Sequence, residues 1–195
     1  MTAEGNKILG TVLLDMSVSL DGFVAGPGDD VERLHRWVFT GAGTENMRFS
    51  DELHEVLAEV DAGAVLAGRR TFDLASGWGG DPAMKVPHVI LSHDVPDEVA
   101  SGKWTSFVFE SGIEAAVARA RKLAGGRAVY VLGGAGLAQQ CLNAGLLDEL
   151  QMHVVPVLLG KGIRLFDHLD ARTELRLISA ATGTETVRMR YQVVK

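Results

Sequence analysis

Apolar residues follow two alternating rhythms along this chain. Short aliphatic or β-branched runs bounded by turn residues predict strands over 10–18, 64–67, 88–91, 106–109, 128–132 and 149–155. Between them the spacing becomes helical: Phe49, Leu53, Val56, Leu57 and Val60 make one stripe, and Ile113, Ala116, Val117, Ala120 and Leu123 another, which Gly125-Gly126 stops. Leu137, Cys141 and Leu142 make a third. Strands alternating with helices imply a largely parallel sheet covered on both faces. The chain then changes character, with strand-like runs over 174–181 and 185–194 separated by Thr182-Gly183-Thr184, the pattern of an antiparallel hairpin. The predicted architecture is a three-layer α/β/α sandwich on a mixed sheet. With 195 residues, 47% of them hydrophobic, and no repeat, low-complexity tract or linker, residues 1–195 read as a single domain.

Charge and composition narrow the function. The formal net charge is −6 and the basic residues are scattered, which argues against nucleic acid or an anionic membrane as partner and for a small molecule. The single cysteine, Cys141, excludes an intrachain disulfide framework and a cysteine-based zinc site, so a reducing, cytoplasmic setting is expected. On its helical stripe Cys141 reads as packing. The run Ile8 to Leu14 resembles a weak signal core, but it is short, follows little positive charge and is closed by Asp15, so it reads better as the first strand. No apolar run approaches the roughly 18–20 residues of a membrane helix. His35, His54, His88, His93, His153 and His168 show no metal-binding spacing, so no metal is expected. There is no G-x-S-x-G nucleophile elbow.

Three stretches carry candidate chemistry. Gly133-Gly134-Ala135-Gly136 follows a strand and opens a helix, where bare backbone N–H groups and the helix dipole can hold a phosphate. The dinucleotide fingerprint G-x-G-x-x-G fails there, with Gln139 at its last glycine and Val154-Val155 where a ribose-binding acid belongs, so a tight turn without ligand accounts for the stretch equally well. Gly68-Arg69-Arg70-Thr71 again ends a strand and opens a helix, now with two guanidinium groups and a hydroxyl; a solvated basic helix start is the plain alternative. Ser19, Asp21 and Gly22 end the first strand, the place where open α/β sheets bind ligands, and Asp21 is a candidate for anchoring a polar group or relaying a proton, beside the simpler reading of an Asp-Gly turn. Trp37, Trp78 and Trp104 fit either core or pocket wall, and Trp78, among glycines, is suited to covering a ligand.

Taken together, Ser19-Leu20-Asp21-Gly22, Gly68 to Phe72, Ile90-Leu91-Ser92 and Leu132 to Gly136 resemble the dihydrofolate reductase-like superfamily. The nearer resemblance is to the reductase domain at the C-terminus of the bifunctional riboflavin-biosynthesis deaminase/reductase and its stand-alone relatives, carried by Ala144 to Leu150 and Val155 to Phe166. It spans nearly the whole chain. The resemblance implies that Gly133, Gly134, Ala135, Gly136 and Leu137 cradle a cofactor pyrophosphate, that Gly68, Arg69, Arg70 and Thr71 form the other phosphate-binding turn, and that Ser92 and His93 receive an adenosine 2′-phosphate. The implied cofactor is NADPH. Some relatives carry arginine at the place of His93, for which Arg69 or Arg70 would compensate.

On the substrate side the resemblance assigns Ser19, Asp21, Gly22, Phe23, His35 and Trp37. Dihydrofolate reductases hold the pterin with a carboxylate on the first helix; here the stretch 30–39 sets His35 near that place and Glu32 a turn earlier, which argues against folate. The expectation is hydride transfer from NADPH to a small heterocyclic or carbonyl- or imine-bearing metabolite, with Asp21 as the catalytic candidate. Reduction of the riboflavin-pathway aminopyrimidine and a non-catalytic nucleotide-binding protein are the alternatives. The resemblance also implies a homodimer, for which Met152 to Val155 and the terminal hairpin offer apolar surface.

Overall fold

The computed structural model describes residues 10–41 and 48–195. The chain runs β1 (Val12–Ser19), β2 (Phe23–Ala25), α1 (Glu32–His35), β3 (Phe39–Thr40), β4 (Arg48–Phe49), α2 (Asp51–Val60), β5 (Ala62–Gly68), α3 (Arg69–Leu74), β6 (His88–Leu91), α4 (Asp97–Ala100) and β7 (Phe107–Glu110). It continues through α5 (Ile113–Ala124), β8 (Ala128–Leu132), α6 (Ala135–Asn143), β9 (Glu149–Val155), β10 (Ile163–Arg164), β11 (Leu175–Thr182) and β12 (Val187–Val193). Eight strands form one sheet in the order β11-β12-β9-β1-β8-β5-β6-β7. The strands from β9 to β7 are parallel to their neighbours, while β12 pairs antiparallel with both β9 and β11. The mixed three-layer sandwich with a C-terminal hairpin is therefore observed.

The two faces of the sheet follow from side-chain alternation. Val12, Leu14, Met16 and Val18 point to one face with Leu66, Val89 and Val131, where α5 and α6 contribute Ala116, Val117, Ala120, Ala138 and Cys141. Leu13, Val65, Ala67, Ile90 and Tyr130 point to the other, beneath α2 and an aromatic group of Phe72, Trp78, Trp104 and Phe107. Trp78, which the glycine-rich setting placed in a loop, packs with its ring 6.2 Å from that of Phe72, 6.1 Å from Phe107 and 5.5 Å from His88. Burial pushes the Cys141 thiol up to about 12, in keeping with a packing role.

Some boundaries differ for local reasons. The first strand starts at Val12, because Gly10 adopts a left-handed turn and bonds Arg127, and Ile8 and Leu9 lie outside the described residues. The expected helix over 30–39 is a single turn: Asp30 bonds the Glu32 amide, Val38 N–H turns back to the His35 carbonyl, and Phe39 joins β3. Phe49, counted with the helical stripe, lies in β4, because the Ser50 hydroxyl accepts from the Leu53 amide and starts α2 there. The short β2 and β10 pair antiparallel, and neither is long enough to declare a period in sequence. Among the described residues no helix is long and apolar enough to cross a membrane.

The β5 register shifts at Gly63, where the end of α5 crowds the sheet. A Cβ at Gly63 would stand 2.7 Å from the Ala124 Cα and closer still to its carbonyl oxygen, so both backbones would have to part. Gly63→Val is expected to cost about 1–3 kcal/mol of stability, read as a lower denaturant midpoint with an unchanged slope. A midpoint equal to wild type would show that α5 is not seated on β5 this closely.

Candidate functional site

The site is built where parallel strands end. Leu132, the last residue of β8, lies opposite Ala67 of β5 on one side and Asp15 of β1 on the other. The chain then turns through Gly133 and Gly134, at φ 69° and 88°, a left-handed conformation that disfavours any residue with a Cβ. A Cβ on Gly133 would sit 3.2 Å from the Thr71 hydroxyl oxygen, so the turn lies directly on the first turn of α3. Gly134 caps α6 without a side chain, and the first backbone bond of the helix runs from Ala138 N–H to the Gly134 carbonyl at 3.1 Å. The amides of Ala135, Gly136 and Leu137 therefore open the helix with no side-chain cap, the arrangement that suits an anion.

Beside this turn, Arg69 reaches across the ends of β5 and β6. Its Nε donates to both Asp73 carboxylate oxygens at 2.8 and 3.0 Å, and Nη1 donates to the Asp94 carbonyl at 3.1 Å and the Ser92 hydroxyl at 3.4 Å. The Ser92 hydroxyl also accepts from the Asp94 amide, which fixes the loop after β6. A cleft of about 440 Å³ lies here, lined by Arg69, Leu91, Ser92, His93, Asp94, Ser111 and Gln140. Arg69, Ser92 and His93 are thus brought together as expected from sequence. Ser111 and Gln140 join them unforeseen, since an isolated serine and an isolated glutamine carry no motif.

Arg70 departs from the expectation. Successive helical residues point about 100° apart, and Arg70 turns from the cleft to pair with Asp29, whose hydrogen bonds and charge hold its guanidinium above the usual arginine pKa. The two arginines therefore do not form one phosphate clamp.

The other half of the site is the end of β1. This strand outruns β8, leaving Met16 to Ser19 paired to β9 alone, and then turns at Leu20 to Gly22. The Ser19 hydroxyl donates to Asp21 Oδ1 at 2.6 Å and accepts from the Phe23 amide at 2.9 Å. Asp21 also accepts from the amides of Leu159 at 3.1 Å and Gly160 at 2.7 Å. These bonds, the one from Ser19 foremost, lower its carboxyl to about 2. A group held ionised in this way is an anchor for the 157–160 loop and a poor proton donor at neutral pH, so the relay role expected of Asp21 does not follow from its geometry. Arg164 completes the tie: Nη1 donates to the Asp21 carbonyl at 3.0 Å, and the guanidinium stands 4.3 Å over the Phe23 ring.

Among the other substrate-side candidates, Ser19, Phe23 and Trp37 face inward and Leu20, at 67% exposure, forms the tip of the turn. The Trp37 indole donates to the Ser17 hydroxyl at 2.9 Å and stacks on His153 with centroids 4.1 Å apart. Beneath it lies a buried polar group that sequence reading missed. Asp15 Oδ2 accepts from Gln151 at 2.7 Å, and His153 Nε2 lies 2.9 Å from Oδ1 but out of hydrogen-bond alignment. Burial first, then the charge and hydrogen bond of Asp15, push the Tyr130 phenol far above its usual range. Its only sequence signal was polar residues at alternate positions of strands that otherwise read as core. Half-buried His35 is held below the usual imidazole pKa by desolvation, so it is neutral at pH 7.

The sequence profile of the RibD C-terminal domain matches residues 10–189. The chain belongs to the RibD C-terminal domain family. Among curated relatives, the uncharacterized protein YyaP of Bacillus subtilis is 28% identical over 188 residues, covering 90% of each chain. Among solved structures, this RibD C-terminal domain is similar to a putative riboflavin biosynthesis protein from Shewanella, with a TM-score of 0.75, 19% identity and coverage of 95% of this chain and 99% of that one. It is also similar to dihydrofolate reductase from Enterococcus faecalis complexed with NADP(H), with a TM-score of 0.64, 14% identity and coverage of 97% and 99%. Both share its dihydrofolate reductase-like fold.

The Asp21 tie has a pH signature. Its folded pKa of about 2 lies below the unfolded value of about 3.9, so its contribution is complete above the unfolded pKa and is lost as pH falls toward the folded one. Asp21→Asn is expected to lower the melting temperature by a margin that is steady from pH 7 to about 5 and closes as the pH falls from about 4 toward 2. A margin independent of pH over that range would remove the carboxylate from the tie.

Proposed function

We propose that this RibD C-terminal domain protein is an NADPH-dependent reductase that delivers hydride to an electrophilic carbonyl or imine carbon of a small heterocyclic metabolite. The observation that carries this reading is the polar cleft in which Arg69, Ser92 and His93 meet at the end of β6, with Gln140 linking it to the uncapped start of α6. The donor set fits a phosphorylated dinucleotide: backbone amides for a pyrophosphate, and a guanidinium with a hydroxyl and an imidazole for a further phosphate. The similar dihydrofolate reductase of Enterococcus faecalis is complexed with NADP(H), which supports the same cofactor.

Bound at this site, NADPH supplies the hydride. The protein supplies position and electrostatics. The amides of Ala135, Gly136 and Leu137 would receive the pyrophosphate, and Arg69, already oriented by Asp73, would exchange its contacts to Ser92 and the Asp94 carbonyl for phosphate oxygens. Residues 17–25 would border the acceptor, held by the Asp21 and Arg164 ties to the 157–165 segment. Neutral His35 would face a pterin-like ring without the carboxylate that folate reduction uses. A ribosylated aminopyrimidine phosphate is the second reading, favoured by the half-exposed Arg164 beside the turn as a cation on the substrate side.

Titration with NADPH and with NADH, followed by cofactor fluorescence, tests the reading. NADPH is expected to bind more tightly, and Arg69→Ala to weaken it about 10- to 100-fold, the loss of charge-assisted hydrogen bonds of roughly 1.5–3 kcal/mol, with little change for NADH. Arg70→Ala should leave both nearly unchanged, because its partner is Asp29. If neither cofactor binds in the micromolar range, the reductase reading falls.

A further inference from the structure

The two glutamines in the middle of α6 serve different sides of the helix. Gln140 lines the cleft beside Arg69 and Ser92, whereas Gln139, the residue at which the dinucleotide fingerprint fails, is only 7% exposed. A buried amide is costly unless it is hydrogen-bonded. Gln139 Nε2 donates to the Leu165 carbonyl at 2.9 Å and lies 3.5 Å from the Arg164 carbonyl. One helical turn further along the same face, Asn143 Nδ2 donates to the His168 carbonyl at 3.0 Å and its Oδ1 accepts from the Asp170 amide at 3.1 Å. Side chains of α6 therefore hold β10 and the chain that follows it at two separate points.

The segment 162–165 has the acceptor border on its other side. β10 pairs antiparallel with β2, which has no other strand neighbour among the described residues. The Leu165 amide donates to the Gly22 carbonyl at 3.0 Å, and Arg164 Nη1 donates to the Asp21 carbonyl at 3.0 Å. A Cβ on Gly162 would overlap the Ala25 carbonyl, so the two backbones meet with no side chain between them. Leu165 itself is fully buried, in the same apolar group as Val24, Ala135, Leu137 and Ala138. One short strap thus lies between the helix whose first amides suit an anion and residues 21–25.

We propose that Gln139 is a positioning residue that couples the cofactor seat to the acceptor border. The inference rests on the cofactor reading above, because it takes the start of α6 as the anion seat. An anion on the amides of Ala135, Gly136 and Leu137 fixes the first turn of α6, and Gln139, one turn beyond Ala135, carries that order to the Leu165 carbonyl. The strap passes it on to Asp21 and Gly22 through the bonds from Arg164 and Leu165. Binding at one place that rigidifies another couples the two without any change of shape. Buried away from the cleft, Gln139 acts only through the carbonyls it holds. Asn143 bonds residues beyond the strap, so its tie gives no such route.

Hydrogen–deuterium exchange read by mass spectrometry, with and without saturating 2′-phospho-ADP-ribose, tests the coupling. This probe carries the pyrophosphate and 2′-phosphate of NADPH but no nicotinamide, so it fills the proposed seat without extending to residues 20–25. Gln139→Met removes the donor at similar volume, Gln139→Asn falls short of the Leu165 carbonyl, and Asn143→Ala cuts the other tie of α6; a cooperative thermal transition checks each fold. In wild type and Asn143→Ala the probe is expected to slow exchange at 133–140 and, by about 5-fold or more, at 20–25 and 162–165. In both Gln139 variants the slowing at 133–140 persists and that at 20–25 and 162–165 disappears. Slowing confined to 133–140 in wild type overturns the coupling. So does an effect at 20–25 that a folded Gln139 variant keeps or that Asn143→Ala loses. No slowing at 133–140 in wild type removes the cofactor seat itself, and the coupling with it.

Discussion

The arrangement rests on the insertion of β8 between β1 and β5. Parallel strands buried on both faces tolerate no slip, because moving β8 by one residue would turn Tyr130 from Asp15 toward the opposite layer and expose Val129 and Val131 to the wrong helices. This register sets Leu132 level with Ala67, so the turns after β8 and β5 touch through Gly133 and Thr71. The pairing of β5 with β6 then brings Ser92 within reach of Arg69. Three loops far apart in sequence converge because their strands run the same way and end together. The longer β1 projects past them, paired to β9 alone.

Charges are used locally in this acidic protein. Asp73 and the Asp94 carbonyl orient Arg69 toward the cleft, whereas Asp29 draws Arg70 away from it. Asp15 is buried among Tyr130, Gln151 and His153, and defines how the polar centre of the sheet packs beneath Trp37. Asp21, only six residues later, keeps its charge by accepting backbone amides and holds the loop bordering the projecting end of β1. The same residue type therefore serves as interior organiser in one place and as loop anchor in the other, and the difference is one of setting: Asp15 is buried in the sheet among side-chain partners, whereas Asp21 ends a strand and takes the amides of a neighbouring loop.

Much of the fold was legible in the chain. The central strands, α2, α5, α6 and the terminal hairpin all carry enough residues to display a period, and the bounds of β8 and β9 agree with the sequence pattern to the residue. The failures came where elements are too short for periodicity: α1 is one turn, and β2 and β10 exist only because they pair with each other. On the candidate site, Gly68, Arg69 and the Gly133–Gly134 turn were recognisable because glycines at strand ends and basic helix starts are local signals, whereas Ser92 and His93 were indicated only by the family resemblance. Ser111 and Gln140 had no such signal, and they enter the cleft only because strand order brings their loops there.

Local chemistry thus determined which segments form strands and helices, which turns can accept an anion, and which strand faces are apolar, since propensity, glycine freedom and alternation are properties of neighbouring residues. Tertiary structure decided the rest. It separated Arg69 from Arg70, tied Asp21 to the 157–160 loop, gathered Asp15, Tyr130, Gln151 and His153, and left Leu177 of β11 and Val187 of β12 exposed. Each of these depends on a partner many residues away, and such distances are set by strand order and register.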